Sequence, residues 1–151
     1  MFRVIAYERA HLAGILALCT VEGWMSFASD PDRAHRVLTA PGVTSAVALE
    51  GEGEDGEVLG FAQLLSDGEI QAYLANLLVA EPSRGQGIAR SLLEHVHARA
   101  GGERVSLLSE DGATGFYASL THVRRPGFRI YPPFKARSGA PKPSETPPPG
   151  H

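Results

Sequence analysis

Residues Arg84-Gly85-Gln86-Gly87-Ile88-Ala89 have the types and spacing needed to cradle a phosphate. A helix that starts straight after a glycine-rich turn presents backbone N–H groups with no intrahelical partner. Its dipole favours an anion there by about 0.3–1 kcal/mol, rising to roughly 2 in partly buried sites. Gly85 and Gly87 let the backbone approach an anion without an intervening side chain, Arg84 adds a charged fork suited to phosphate oxygens, and small Ala89 keeps the first helical turn open. Gln86 and Ile88 complete the segment. A pyrophosphate fits this arrangement. A nucleoside-triphosphate loop would need Gly-Lys-Ser/Thr at a fixed spacing, and a dinucleotide fold would need Gly-x-Gly-x-x-Gly; neither occurs.

Other chemistry-bearing residues point elsewhere. Cys19, the only cysteine, lies on an apolar helical stripe and reads as a buried structural thiol. It excludes an intramolecular disulfide and Cys-rich zinc patterns. His95 and His97 are two apart on one helix, not the i, i+4 pair that grips zinc, so no metal site is expected.

The elements that must position the turn follow from periodicity. Phe2 to Tyr7 reads as a strand. Leu12, Ile15, Leu16 and Cys19 share one helix face, and Asp30-Pro31 caps a second helix through Ala34, Val37 and Leu38 to Pro41-Gly42. Val43 to Leu49, Val58 to Leu65 and Ile70 to Val79 form an antiparallel meander, with turns at the acidic, glycine-bearing Glu50 to Glu57 stretch and at Ser66-Asp67-Gly68. Ile88, Leu92, Leu93, Val96 and Ala100 make a helical stripe ending at Gly101-Gly102. Val105 to Leu108 reads as a strand, Ala113, Phe116, Tyr117 and Leu120 as a helix face, and Phe128 to Tyr131 as a short last strand. The expected fold class is α/β, a mixed and mostly antiparallel sheet flanked by helices.

The spacing Arg84-x-x-Gly87-x-Ala89, preceded by Val79 and Pro82, resembles the acetyl-coenzyme A-binding motif of the GNAT superfamily of N-acetyltransferases: Gln or Arg, two residues, Gly, one residue, Gly or Ala. The order of elements over residues 2 to 131 also resembles that family, so 1–131 is expected to be the acetyltransferase domain. The resemblance implies acetyl-coenzyme A as acyl donor and a small-molecule or peptide amine as acceptor. It also implies pyrophosphate binding by Arg84, Gly85, Gln86, Gly87, Ile88 and Ala89. In that family the strand before the motif splays from its neighbour and its backbone contacts the acyl and pantetheine region; Leu78 and Val79 occupy the matching stretch.

Acetyl transfer needs an amine that has lost its proton, a stabilised oxyanion, and a proton for the departing thiolate. Phe116-Tyr117 resembles the family's Phe-Tyr or Ala-Tyr element, which implies Tyr117 beside the coenzyme sulfur as general acid; its other reading is packing on the helix face. Ala113 matches the family pattern, whereas Glu110 stands where Asn is usual, and Leu120-Thr121-His122 replaces Leu-Gly-Phe. For the base, Glu69, Tyr73, Asn76, Glu22, Glu110, a water relay and an already neutral amine all stay open. The expected activity is direct transfer of acetyl to an amine, with a noncatalytic coenzyme A-binding module of the same fold as the alternative.

Composition agrees. With 151 residues, 43% hydrophobic and 21% charged, one ordinary domain is expected. The net charge of −3 and scattered Lys and Arg argue against nucleic acid. No apolar run approaches the roughly 18 residues of a membrane span and no signal-peptide pattern opens the chain, so a cytoplasmic protein without a membrane partner is expected. A homodimer is compatible with this reading. Residues 132–151 hold seven prolines and little apolar content, which reads as a disordered tail.

Overall fold

The computed structural model of the protein describes residues 1–136. The chain divides into a unit from Met1 to Leu107 and a second that begins at Leu108. In the first, the strands are β1 (Phe2–Ala6), β2 (Val43–Glu50), β3 (Val58–Ser66), β4 (Gln71–Val79) and β5 (Arg104–Ser106). The helices are α1 (Leu12–Glu22), α2 (Met25–Ala28), α3 (Pro31–Leu38) and α4 (Ile88–Ala100). The sheet order is β1-β2-β3-β4-β5, antiparallel except for the parallel β4–β5 pair.

Strand alternation sorts the core into two layers. Val47, Leu49, Phe61 and Leu78 pack with Leu12, Ile15 and Cys19 of α1 and Ala34 and Leu38 of α3. On the opposite face Ala46, Ala48, Gly60 and Ala62 form a shallow surface on which Ile88, Leu92 and Val96 of α4 are buried. Small residues are needed there: a Cβ on Gly60 would lie 3.3 Å from Leu92 Cδ1 and 2.7 Å from the Leu78 carbonyl oxygen.

The expected helix cap at Asp30 forms. Asp30 accepts a hydrogen bond from Arg33 N at 3.1 Å with Pro31 in the first turn of α3. Asp67 accepts from the N–H groups of Glu69, Ile70 and Gln71, which delays β4 to Gln71 instead of Ile70. Those three hydrogen bonds hold the Asp67 carboxyl below its ordinary pKa. The α2 turn was not legible in the sequence; Trp24, just before it, and Phe27 within it set their rings 6.4 and 5.9 Å from Phe61, so aromatic burial maintains it.

The second unit contains α5 (Thr114–Ala118), shorter than the expected helix face through Leu120. The expected last strand at Phe128 to Tyr131 does not form, and Phe128 and Ile130 are exposed. Pro126-Gly127 and Pro132-Pro133 bracket those four residues. The prolines remove N–H donors on both sides, and too short a stretch is left to hold a ladder. Of the expected disordered tail, 137–151 lies outside the described residues.

Candidate active site

Two features of β4 prepare one of its edges. First, β5 pairs only with Gln71, Ala72 and Tyr73, so among the described residues no strand lies beside that edge from Leu74 to Val79. Second, the β3–β4 register runs Gln63↔Asn76 and then Leu64↔Leu74, leaving Ala75 as a bulged residue. The bulge resets the alternation so that Ala72 and Leu74 are buried in one half of the strand and Leu78 and Val79 in the other. Asn76 Nδ2 donates to Gln63 Oε1 at 2.6 Å, and Gln63 Nε2 donates to the Val37 carbonyl oxygen at 2.9 Å, tying the bulge to the end of α3.

The ladder's phase decides which main-chain groups face the open edge. Ala80 N donates to Leu59 O at 2.8 Å, so residues two apart from Ala80 also turn their polar groups toward β3. Leu78 therefore spends its N–H and C=O on Phe61, and Val79 and Leu77 point theirs outward. Of the two residues nominated from the sequence, Val79 faces the splay through its backbone and Leu78 serves the core. Leu77 turns its main-chain groups the same way as Val79, which only the pairing partner reveals.

Beyond Val79, a single 3-10 turn over Glu81–Ser83 leads into the glycine segment. Gly85 and Gly87 have φ of 80° and 84°, and Gln86 between them has negative φ. Alternating signs of φ turn successive N–H groups toward one side, a nest suited to an anion. Among the described residues nothing lies within 4 Å of where a Cβ would sit on either glycine, so the requirement is conformational. Among the described residues the N–H groups of Gly85, Gln86 and Gly87 have no acceptor. Gly87 is the N-cap of α4, and the first intrahelical donor is Ser91, to Gly87 O at 3.1 Å. The N–H groups of Ile88, Ala89 and Arg90 thereby have no acceptor within the helix. The buried Ile88 side chain anchors this end of the helix.

Arg84 does not stand free beside the turn. Its Nε donates to the Val79 carbonyl oxygen at 3.0 Å and its Nη2 to Glu22 Oε1 at 2.9 Å. The structure thus brings Val79, Arg84, Gly85, Gln86, Gly87, Ile88 and Ala89 together at the end of β4.

In the second unit, Tyr117 sits on α5 with its ring 5.0 Å from that of Phe116, edge to face. Burial, and then the negative charge of Glu110, raise its pKa above the ordinary tyrosine value, so its hydroxyl is protonated at neutral pH.

Glu22 is paired with Arg84, Asn76 with Gln63, and Glu69 belongs to the hairpin turn at the far end of β4. An open depression of about 460 Å³ lined by Pro41, Leu65, Tyr73 and Ser106 also lies at that far end, away from the glycine turn. Cys19 is fully buried, and burial pushes its thiol up to about 12. His97 Nε2 is 2.8 Å from Gly102 O, and among the described residues no group of three or more His, Cys, Asp or Glu could hold a metal ion. No described helix is long and apolar enough to cross a membrane.

The fold has counterparts among solved structures. An acetyltransferase of Trypanosoma brucei matches at 18% identity and a TM-score of 0.64, covering 86% of this chain and 100% of that one. A GNAT-family acetyltransferase of Streptococcus pneumoniae matches at 24% identity and a TM-score of 0.59, over 79% of this chain and 85% of that one. AAC(6')-Iy, solved with the bisubstrate analogue CoA-S-monomethyl-acetylneamine, matches at 16% identity and a TM-score of 0.64, over 87% of this chain and 98% of that one. At such identities the likeness is one of fold. No curated protein matches the sequence. The family model described as acetyltransferase (GNAT) domain matches residues 42–120, a span that holds β2 to α5 with the glycine turn and Tyr117, and the chain belongs to the GNAT acetyltransferase family.

Proposed function

We propose that this acetyltransferase uses acetyl-coenzyme A to acetylate an amine by direct attack, without an acyl-enzyme. The observation that carries the reading is the row of N–H groups from Gly85 to Arg90 that have no acceptor among the described residues, continuous with the open edge of β4. Six donors at a helix start suit a pyrophosphate, and outward-facing groups on an extended strand suit the amides of a pantetheine arm. Bound acetyl-coenzyme A supplies the activated acyl thioester. The chain's own part is to hold and orient it: the glycine turn binds the diphosphate, and Val79 and Leu77 align the arm along β4. Tyr117 holds a proton on its Oη for the sulfur, and its raised pKa keeps that proton in place at neutral pH. Cys19, buried and with its thiol raised to about 12, is unsuited to carry the acyl group, which favours direct transfer.

An amine acceptor is supported by the family and by the AAC(6')-Iy complex, whose bisubstrate analogue joins coenzyme A to an acetylneamine. The reading is of a cytoplasmic enzyme. It is tested by incubating the protein with acetyl-coenzyme A and a panel of primary amines while following thiol release. Amine-dependent release is expected; tight coenzyme binding with no release for any amine would favour the noncatalytic module instead.

A further inference from the structure

We propose that Glu22 is a positioning residue for the coenzyme-binding turn and acts through Arg84. Glu22 is the last residue of α1, followed by Gly23 with φ of 78°. A carboxylate there faces the negative end of the helix dipole and opposes the local preference for a cation, and α1 has no basic residue in its last turn. Its partner compensates: Arg84 Nη2 lies 2.9 Å away, 62 positions along the chain, while Arg84 Nε reaches the Val79 carbonyl oxygen at 3.0 Å. One planar guanidinium thereby joins the end of α1, the outward-facing edge of β4 and the residue that opens the glycine turn. The pair is part-exposed, at 50% for Arg84 and 32% for Glu22, so its contribution to global stability is small. Its effect is local. With the fork committed to Glu22 and Val79, Arg84 restrains the segment whose N–H groups converge, and recognition of the diphosphate falls to the backbone.

This inference rests on the coenzyme reading above, and the test separates the two. Binding of acetyl-coenzyme A, of ADP as a diphosphate probe and of S-acetylpantetheine, which lacks the diphosphate, is measured by calorimetry for the full chain and its variants. Glu22→Ala should weaken acetyl-coenzyme A and ADP by about three- to tenfold. It should leave S-acetylpantetheine and the melting temperature close to the parent values. Glu22→Gln, which keeps the accepting oxygen, should restore most of the loss. Arg84→Lys, which has no fork to span two acceptors, should resemble Glu22→Ala, and the double variant Glu22→Ala/Arg84→Lys should lose little more than either single one. Unchanged or tighter ADP binding in Glu22→Ala would overturn the proposal, tighter binding meaning that Glu22 withholds Arg84 from the phosphates. Failure of the parent protein to bind acetyl-coenzyme A would instead overturn the coenzyme reading itself.

Discussion

The side chains of Asn76 and Gln63 meet across the β3–β4 ladder at 2.6 Å, at the step where the register slips past Ala75. Gln63 is buried, so removing its partner leaves a desolvated amide oxygen. Asn76→Ala should therefore destabilise the protein by about 1–3 kcal/mol in urea denaturation. It should also weaken acetyl-coenzyme A binding, because the bulge directs the open edge of β4. A normal midpoint with normal binding would show that backbone pairing alone holds the bulge.

Acetyl-coenzyme A should raise the melting temperature progressively with concentration, since a ligand that binds only the native state stabilises it by mass action. At a hundred times the dissociation constant the gain is about 2.7 kcal/mol. No shift at saturating ligand would remove the coenzyme from the proposed function.

Gly87→Ala tests the turn through its conformation. The site has room for a methyl group but a φ of 84°, so the cost should be the left-handed strain of roughly 1–2 kcal/mol, with no steric addition. Calorimetry should show weaker binding of acetyl-coenzyme A as the N-cap relaxes. Parent-like stability and affinity would mean that the turn has no need of left-handed backbone.

Tyr117→Phe retains the ring against Phe116 and removes only the hydroxyl. Melting temperature and coenzyme affinity should change little, while kcat for an identified amine falls by about ten- to a hundredfold, because a thiolate with an ordinary pKa near 8.5 leaves with modest help. The Tyr117 pKa is raised, so its proton is fully present at neutral pH and is lost only as pH rises through a value above the ordinary tyrosine range. The ratio of parent to variant kcat should accordingly stay flat from neutral to mildly alkaline pH. Equal kcat values, with chemistry rate-limiting, would leave Tyr117 as packing.

Cys19 should resist a thiol reagent in the native protein at mildly alkaline pH, where a thiol raised to about 12 has almost no thiolate, and react on denaturation. Rapid modification of the native chain, measured by mass spectrometry, would contradict its place in the core.

Part of this fold is encoded within short stretches of the chain. The i, i+3, i+4, i+7 spacing of Leu12, Ile15, Leu16 and Cys19, the Asp30-Pro31 cap and the glycine spacing before Ile88 each act within a few residues, so α1, α3, the meander and the glycine turn are legible without any tertiary contact. The tertiary structure decided whatever depends on a distant partner. Leu77 and Val79, not Leu78, face the open edge because the phase of β4 is set by Phe61 and its neighbours on β3. Arg84 reads as a phosphate ligand from its position alone, and only the fold shows that α1 delivers Glu22 to within 2.9 Å of its guanidinium. Phe128 to Tyr131 has strand-like residue types, yet no ladder forms between its flanking prolines. Periodicity and capping are short-range forces written into neighbouring residues, whereas register, pairing phase and ion-pair choice are settled only when elements far apart in the chain compete for the same hydrogen bonds and the same buried surface.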